Sequence, residues 1–157
     1  YRLRWDDVVY QPGELRVQAY RDGAPWADAH VETTGPATRI ALTADRDRIA
    51  ADGRDLSFVT VRVLDAQGRA VPDASQRIRF RVEGPGELVA TDNGDPRDLE
   101  AFPSPERNLF SGLALAIVRG TRGEAGSVTL HAEAEGLVSA AITIRTMPGD
   151  AGNVTGE

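Results

Sequence analysis

The chain has 157 residues, a net charge of −6, a pI of about 5.0 and no cysteine. The acidic balance argues against a nucleic-acid or membrane surface. The missing cysteines exclude a disulfide framework and thiolate chemistry, and no apolar run approaches the roughly 20 residues of a membrane span. Sixteen Gly and nine Pro against 6% aromatic residues favour many short strands joined by turns.

The first residues, Tyr1-Arg2-Leu3-Arg4-Trp5, read like the interior of a strand, which predicts a piece of a longer polypeptide. The aromatic and β-branched content of Leu3 to Tyr10 predicts a strand there. Gln11-Pro12-Gly13 is a turn. Glu14 to Tyr20 then alternates with Leu15, Val17 and Ala19 on one face. Arg21-Asp22-Gly23-Ala24-Pro25 is a hairpin turn of the Asp-Gly kind. Trp26 to Thr33 resumes the alternation with Ala27, Ala29 and Val31. The expectation for 1–34 is therefore a partial β-meander.

Thr34-Gly35-Pro36-Ala37 marks a boundary, and 35–146 reads as a full domain. Strands are expected at Thr38 to Ala44, Leu56 to Leu64, Arg77 to Glu83, Glu87 to Ala90, Leu113 to Arg119, Ser127 to Ala134 and Val138 to Arg145. Arg77 to Glu83 shows the strictest alternation: Ile78, Phe80 and Val82 on one side, Arg77, Arg79, Arg81 and Glu83 on the other. One face meets a core and the other meets water, as antiparallel sheets allow. Leu113 to Arg119 is nearly all apolar, which predicts a central strand covered on both faces. Val138, Ala140, Ile142 and Ile144 are expected to point inward. Seven short strands with turn signals between them are the signature of an all-β, immunoglobulin-like antiparallel sandwich. The remainder, 147–157, has turn composition and reads as a tail or linker.

One stretch breaks the pattern. Thr91 to Gly112 reads TDNGDPRDLEAFPSPERNLFSG and holds Asn93-Gly94, Asp95-Pro96, Pro103 and Pro105. Asn-Gly tolerates positive φ and Pro removes a backbone donor, so no ladder runs through it. Long irregular loops in compact domains are often functional. This one carries Leu99, Phe102, Leu109 and Phe110, which predicts that it folds back and buries them. The planar fork of Arg107 suits loop carbonyls or an acid such as Asp92 or Asp95.

These residues also carry a resemblance. Asp92-Asn93-Gly94-Asp95-Pro96, then Glu100, Phe102, Arg107, Phe110 and Gly112, then Ala114 to Arg119, resemble the C-terminal immunoglobulin-like domain of family 2 glycoside hydrolases of the β-galactosidase type. Trp5, Val8, Tyr10, Pro12 to Leu15, Tyr20 and Asp22-Gly23 resemble the last strands of a sandwich domain that follows the catalytic barrel in the same enzymes. The resemblance implies a non-catalytic accessory module for interdomain packing, oligomerisation or extension of the substrate cleft. It implies that a barrel outside this sequence supplies the catalytic glutamates of a retaining glycosidase. Its partners would be other domains of that parent and possibly carbohydrate, and its compartment extracytoplasmic, periplasmic or secreted. Asp52-Gly53-Arg54-Asp55 and Asp65 to Pro72 also resemble bacterial immunoglobulin-like repeats of the invasin type. An adhesin domain or a carbohydrate-binding module is therefore the alternative.

The candidate chemistry is thin. Glu133 and Glu135 have a spacing compatible with a glycosidase pair, but a solvated sheet face offers no pocket to raise one carboxyl. His30 and His131 are the only histidines and fall at outward positions, and they do not stand at metal-ligand spacing, so no zinc site is expected. Asp92, Asn93 and Asp95 offer oxygens for calcium, or else close a turn through Asx hydrogen bonds. Trp5, Tyr10, Tyr20 and Trp26 suit either sugar stacking or packing in a core or interdomain contact. Arg77, Arg79 and Arg81 form a basic stripe, for pairing with neighbouring acids or for docking. No cofactor is expected.

Overall fold

A computed structural model describes residues 4–148. Every regular element among them is a strand, and the chain divides into two compact units between Thr34 and Gly35.

The first unit is a hairpin. Strands β1 (Glu14–Arg21) and β2 (Ala24–Glu32) pair antiparallel, with Leu15 opposite Val31, Val17 opposite Ala29 and Ala19 opposite Ala27. Asp22 and Gly23 make the turn with φ of 51° and 78°, the left-handed pair that matches strand twist. The expected strand over Leu3 to Tyr10 does not form: residues 4–13 are irregular. Its aromatic and β-branched residues had no clean alternation, so no face was defined for a partner strand to cover.

The second unit is the sandwich. Its strands are β3 (Arg39–Ala44), β4 (Arg48–Ala50), β5 (Leu56–Leu64), β6 (Arg77–Glu83), β7 (Gly86–Asp92), β8 (Glu106–Asn108), β9 (Leu113–Gly120), β10 (Gly126–Glu133) and β11 (Ala140–Met147). They form a four-stranded sheet, β3-β5-β9-β7, and a five-stranded sheet, β4-β11-β10-β6-β8. All ladders are antiparallel except that of β4 with β11. The seven expected strands are present. β4 and β8 are additions of three residues each, too short for a period to show. Val138 lies outside β11 in a single bridge to Arg39 and is exposed, against the expectation that it points inward.

The core lies between the sheets. Val59, Val61, Val63, Ala114, Ala116 and Val118 meet Ile78, Phe80, Val128, Leu130, Ala132 and Ile144. Burying each Val, Leu, Ile or Phe contributes about 1.5–3 kcal/mol. β9 is central, as expected, but only one of its faces is fully covered. Leu115 and Ile117 on the other are half-buried and Leu113 is 41% exposed.

Asp65 closes the turn before β6 and ties down the start of the unit. It accepts hydrogen bonds from the amides of Gln67, Arg69 and Gly35 and from the Arg69 guanidinium, all within 3.0 Å. Desolvation alone would raise its carboxyl. The Gly35 and Arg69 donors outweigh it and hold the group well below the usual carboxylate range.

Candidate functional site

The irregular stretch leaves the four-stranded sheet at β7, joins the five-stranded sheet as β8, and returns as β9. It is a crossover between layers. Its backbone is stitched to both: Thr91 N donates to Phe102 O at 2.7 Å, Phe80 N to Pro105 O at 2.7 Å and Leu109 N to Gln76 O at 2.9 Å. The return is a tight turn at Ser111 and Gly112, with φ of 52° and 73°. A Cβ on Gly112 would lie 2.1 Å from the Val71 carbonyl oxygen, so this position admits no side chain.

Arg107, 1% exposed, is the hub. Its guanidinium donates to the carbonyls of Thr91 (2.9 Å), Glu100 (3.0 Å) and Ala101 (2.7 Å), to Thr91 Oγ1 (3.2 Å) and to Asp98 Oδ2 (3.0 Å). A planar five-donor fork fits this set; the single ammonium of Lys does not. The expectation of loop carbonyls plus an acid is met, with a correction. The acid is Asp98, not Asp92 or Asp95. Asp92 accepts from the amides of Asn93 and Gly94, and Asp95 pairs with Arg97. The Glu100 amide and then Arg107 hold the Asp98 carboxyl below its ordinary range.

The apolar loop residues divide. Leu109 is buried and Phe110 half-buried, but Phe102 is 61% exposed and Leu99 96% exposed. The expectation that the loop buries all four is overturned for Leu99 and Phe102, and the cause is the hub. Asp98 turns in to Arg107, Glu100 turns in to Arg77, and the Phe102 carbonyl turns in to the Thr91 amide. Leu99 and Phe102 are left on the outside. Polar satisfaction sets the directions of the side chains from Asp98 to Phe102, while Leu109 anchors the end of the loop in the core.

Asn93, Gly94 and Asp95 form the turn that opens it. Gly94 has φ of 74°, and the Asn93 side chain accepts from Asp95 N and donates to Asp98 and to the Asn108 carbonyl. The oxygens considered for calcium are engaged in this turn. Among the described residues, no cluster of three or more His, Cys, Asp or Glu is placed to hold a metal ion.

Beside the loop, the outer face of the five-stranded sheet is charged and cross-linked. Arg77 bridges Glu100 (2.8 Å) and Glu106 (2.7 Å), and Arg79 meets Glu106 at 2.8 Å. Arg81 pairs with Glu83, which also meets His131 Nε2 at 3.3 Å. The arginine stripe is thus paired with neighbouring acids. Glu133 and Glu135 line a cavity of about 360 Å³ with Arg77, Arg79, Glu106 and Ala134. Sequence reasoning missed this cavity, because β8 and the loop that wall it show no period. Both glutamates are exposed, and the guanidinia of Arg77 and Arg79 line the cavity with them.

The outer face of the four-stranded sheet carries Thr60, Arg62 and Arg119 and, among them, an apolar row. Phe58 lies across from Ile117, Ala90 flanks Ile117, and Leu115 and Leu113 continue the row. Phe58 is 38% exposed. In the hairpin, Trp5, Tyr10, Tyr20 and Trp26 are all exposed, and His30 lies on its polar side.

An ordered loop on an immunoglobulin-like sandwich, beside a charged cavity, defines an all-β domain. Residues 40–143 match the family described as glycoside hydrolase family 2 C-terminal domain 5, and residues 1–27 match a domain of unknown function, DUF4982. The chain belongs to the glycoside hydrolase family 2 C-terminal domain 5 family. It is 39% identical over 87% of its length to the β-galactosidase BoGH2A of Bacteroides ovatus, and 30% identical over 98% to a β-glucuronidase of Formosa agariphila. It spans only 16% of the length of each of these relatives. A solved family 2 glycosyl hydrolase from Bacteroides cellulosilyticus superimposes with a TM-score of 0.84 at 31% identity, covering 89% of this chain and 18% of that one. A family 2 β-glucuronidase structure gives a TM-score of 0.79 at 28% identity, covering 92% and 15%.

Proposed function

We propose that this chain is a non-catalytic C-terminal accessory module of a retaining β-galactosidase-like glycosidase, and that it serves interdomain packing. The observation that carries the proposal is the apolar outer face of the four-stranded sheet. A free-standing antiparallel sandwich presents polar outer faces to water. Here one outer face carries Arg, Glu, Thr and His, while the other, beside Thr60, Arg62 and Arg119, carries a continuous apolar row of Phe58, Leu113, Leu115 and Ile117. An apolar row of this kind marks a contact surface. Family membership and the 16% coverage of the relatives supply its occupant, a neighbouring domain of the parent polypeptide. The parent's substrate class is a terminal β-glycoside: one relative is named a β-galactosidase and the other a β-glucuronidase.

The test has two arms. The purified chain, assayed with a chromogenic β-galactoside, shows no turnover. Activity that persists through purification and disappears in Glu133→Gln or Glu135→Gln assigns the cavity a catalytic role and overturns the proposal. In the parent enzyme, Ile117→Asp lowers thermal stability more than in the chain alone. Equal effects in both would remove the interdomain role.

A further inference from the structure

We propose that Leu99 and Phe102 form a preformed apolar plug that seats in a pocket on another domain of the same polypeptide. This rests on the accessory-module reading above but uses a different surface. Leu99, Ala101, Phe102 and Pro103 are all exposed within five residues of the loop tip. It is not a floppy tip. Arg107 is committed to holding it, through five hydrogen bonds from a side chain that is 1% exposed. A loop ordered only for its own stability turns its largest apolar side chains inward. This one buries Leu109, but between Asp98 and Pro103 it turns carbonyls and acids inward and Leu99 and Phe102 outward, in a fixed geometry. Fixing a contact in advance lowers the entropy lost when it docks.

The chemistry selects a protein pocket over a sugar. Leu99 is aliphatic, with no aromatic face to lay on a sugar ring and no polar tip to meet its hydroxyls. The polar groups around the tip are already paired, Asp95 with Arg97, Asp98 with Arg107 and Glu100 with Arg77 and Ser104. They lose little on leaving water and leave nothing free to read a hydroxyl pattern.

Area selects the same polypeptide over a second molecule. An aromatic side chain buries about 150–250 Å², and Leu less, against the roughly 800 Å² per partner of a standard complex. A plug this small does not hold two molecules together. Within one chain the effective concentration is about millimolar, and a small contact suffices. Docking of the plug on the apolar sheet face of another copy would be head-to-tail and need not close.

Hydroxyl-radical footprinting read by mass spectrometry tests this on the chain alone and on the parent enzyme. Oxidation of Leu99 and Phe102 is expected to be fast in the chain alone and to fall sharply in the parent. If both stay reactive in the parent while Phe58 and Ile117 are protected, the plug is overturned and the accessory-module reading stands. If Phe58 and Ile117 also stay reactive, both fail. Protection in the chain alone on adding a galacto-oligosaccharide, or on raising its own concentration, overturns the plug in favour of a sugar contact or self-association. The double variant Leu99→Ser/Phe102→Ser supplies a second reading. It should leave the melting midpoint of the chain alone unchanged and lower that of the parent. An unchanged parent midpoint overturns the plug.

Discussion

In the hairpin, Leu15 faces Val31 and Val17 faces Ala29; in the sandwich, Val61 faces Ala114 and Leu130 faces Ile142. The alternation is the same in both. Every member of the hairpin pairs is exposed, while Val61, Ala114 and Leu130 are buried. The difference teaches that period assigns a side chain to a face, and only a second layer buries that face. The sandwich holds both layers within 35–148. The hairpin has one, and a lone two-stranded hairpin is marginal in water. Its apolar row and its exposed Tyr20 and Trp26 have no second layer within this unit.

The sharpest way to break this comparison is at Arg107. Arg107→Met removes the guanidinium and strands three carbonyls and the Asp98 carboxylate. Breaking a buried pair of this kind costs about 3–5 kcal/mol. Denaturant unfolding of the chain should report that loss in the sandwich transition. A loss below about 1 kcal/mol, the worth of an exposed pair, would mean that the loop is not integral to the sandwich. The core itself is next. Leu130→Ala should cost about 2–5 kcal/mol, because its environment is already closed. A midpoint that stays put would mean that the two sheets do not share one packed core.

Most of the sandwich was legible because its strands alternate against a core contained in the same sequence. Arg77 to Glu83 needed nothing else. Arg107 was legible from its planar fork set among acids and apolar residues, but the expectation that no ladder runs through this stretch is overturned, because Arg107 lies on β8 opposite Ile78. Its acid was not legible, because Asp92, Asp95 and Asp98 differ only in where the turn at Asn93-Gly94 sends the chain. The outward Leu99 and Phe102 were misread for a related reason. Residue type alone points Leu and Phe to the inside, while the directions of their neighbours' carbonyls decide the matter. The cavity beside Glu133 was invisible because one of its walls is β8, a strand of three residues.

Acid should separate the two units more gently. The carboxyls of Asp65 and Asp98 are held below their ordinary range in the folded sandwich. A depressed folded value means that each contributes stability above the unfolded value, about 3.9. That contribution is lost as pH falls through the folded value. Sandwich unfolding, followed by circular dichroism against denaturant, should therefore shift to lower midpoints below about pH 4. Asp98→Asn should start from a lower midpoint at pH 7 and fall less steeply on acidification. Parallel curves for the two proteins would remove Asp98 from the account.

The smallest effect is the most informative about the hairpin. Leu15→Ala and Val31→Ala delete apolar side chains that are already exposed, at 52% and 66%. Substitutions at such positions fall within about 0.5 kcal/mol, so the unfolding midpoint of the chain alone should not move. The same residues sit opposite each other on the ladder, with Arg16, Gln18, Asp28 and His30 on the other side, so the row is a built face and not scattered exposure. If the parent supplies the missing layer, the same substitutions there remove buried methyl groups and should cost about 2–5 kcal/mol at Leu15 and less at Val31. The ratio between the two contexts is the measurement that matters. A large loss in the chain alone would mean that the hairpin face is already covered within these residues. No loss in either context would mean that the row meets water even in the parent, and that alternation here reflects strand pairing alone.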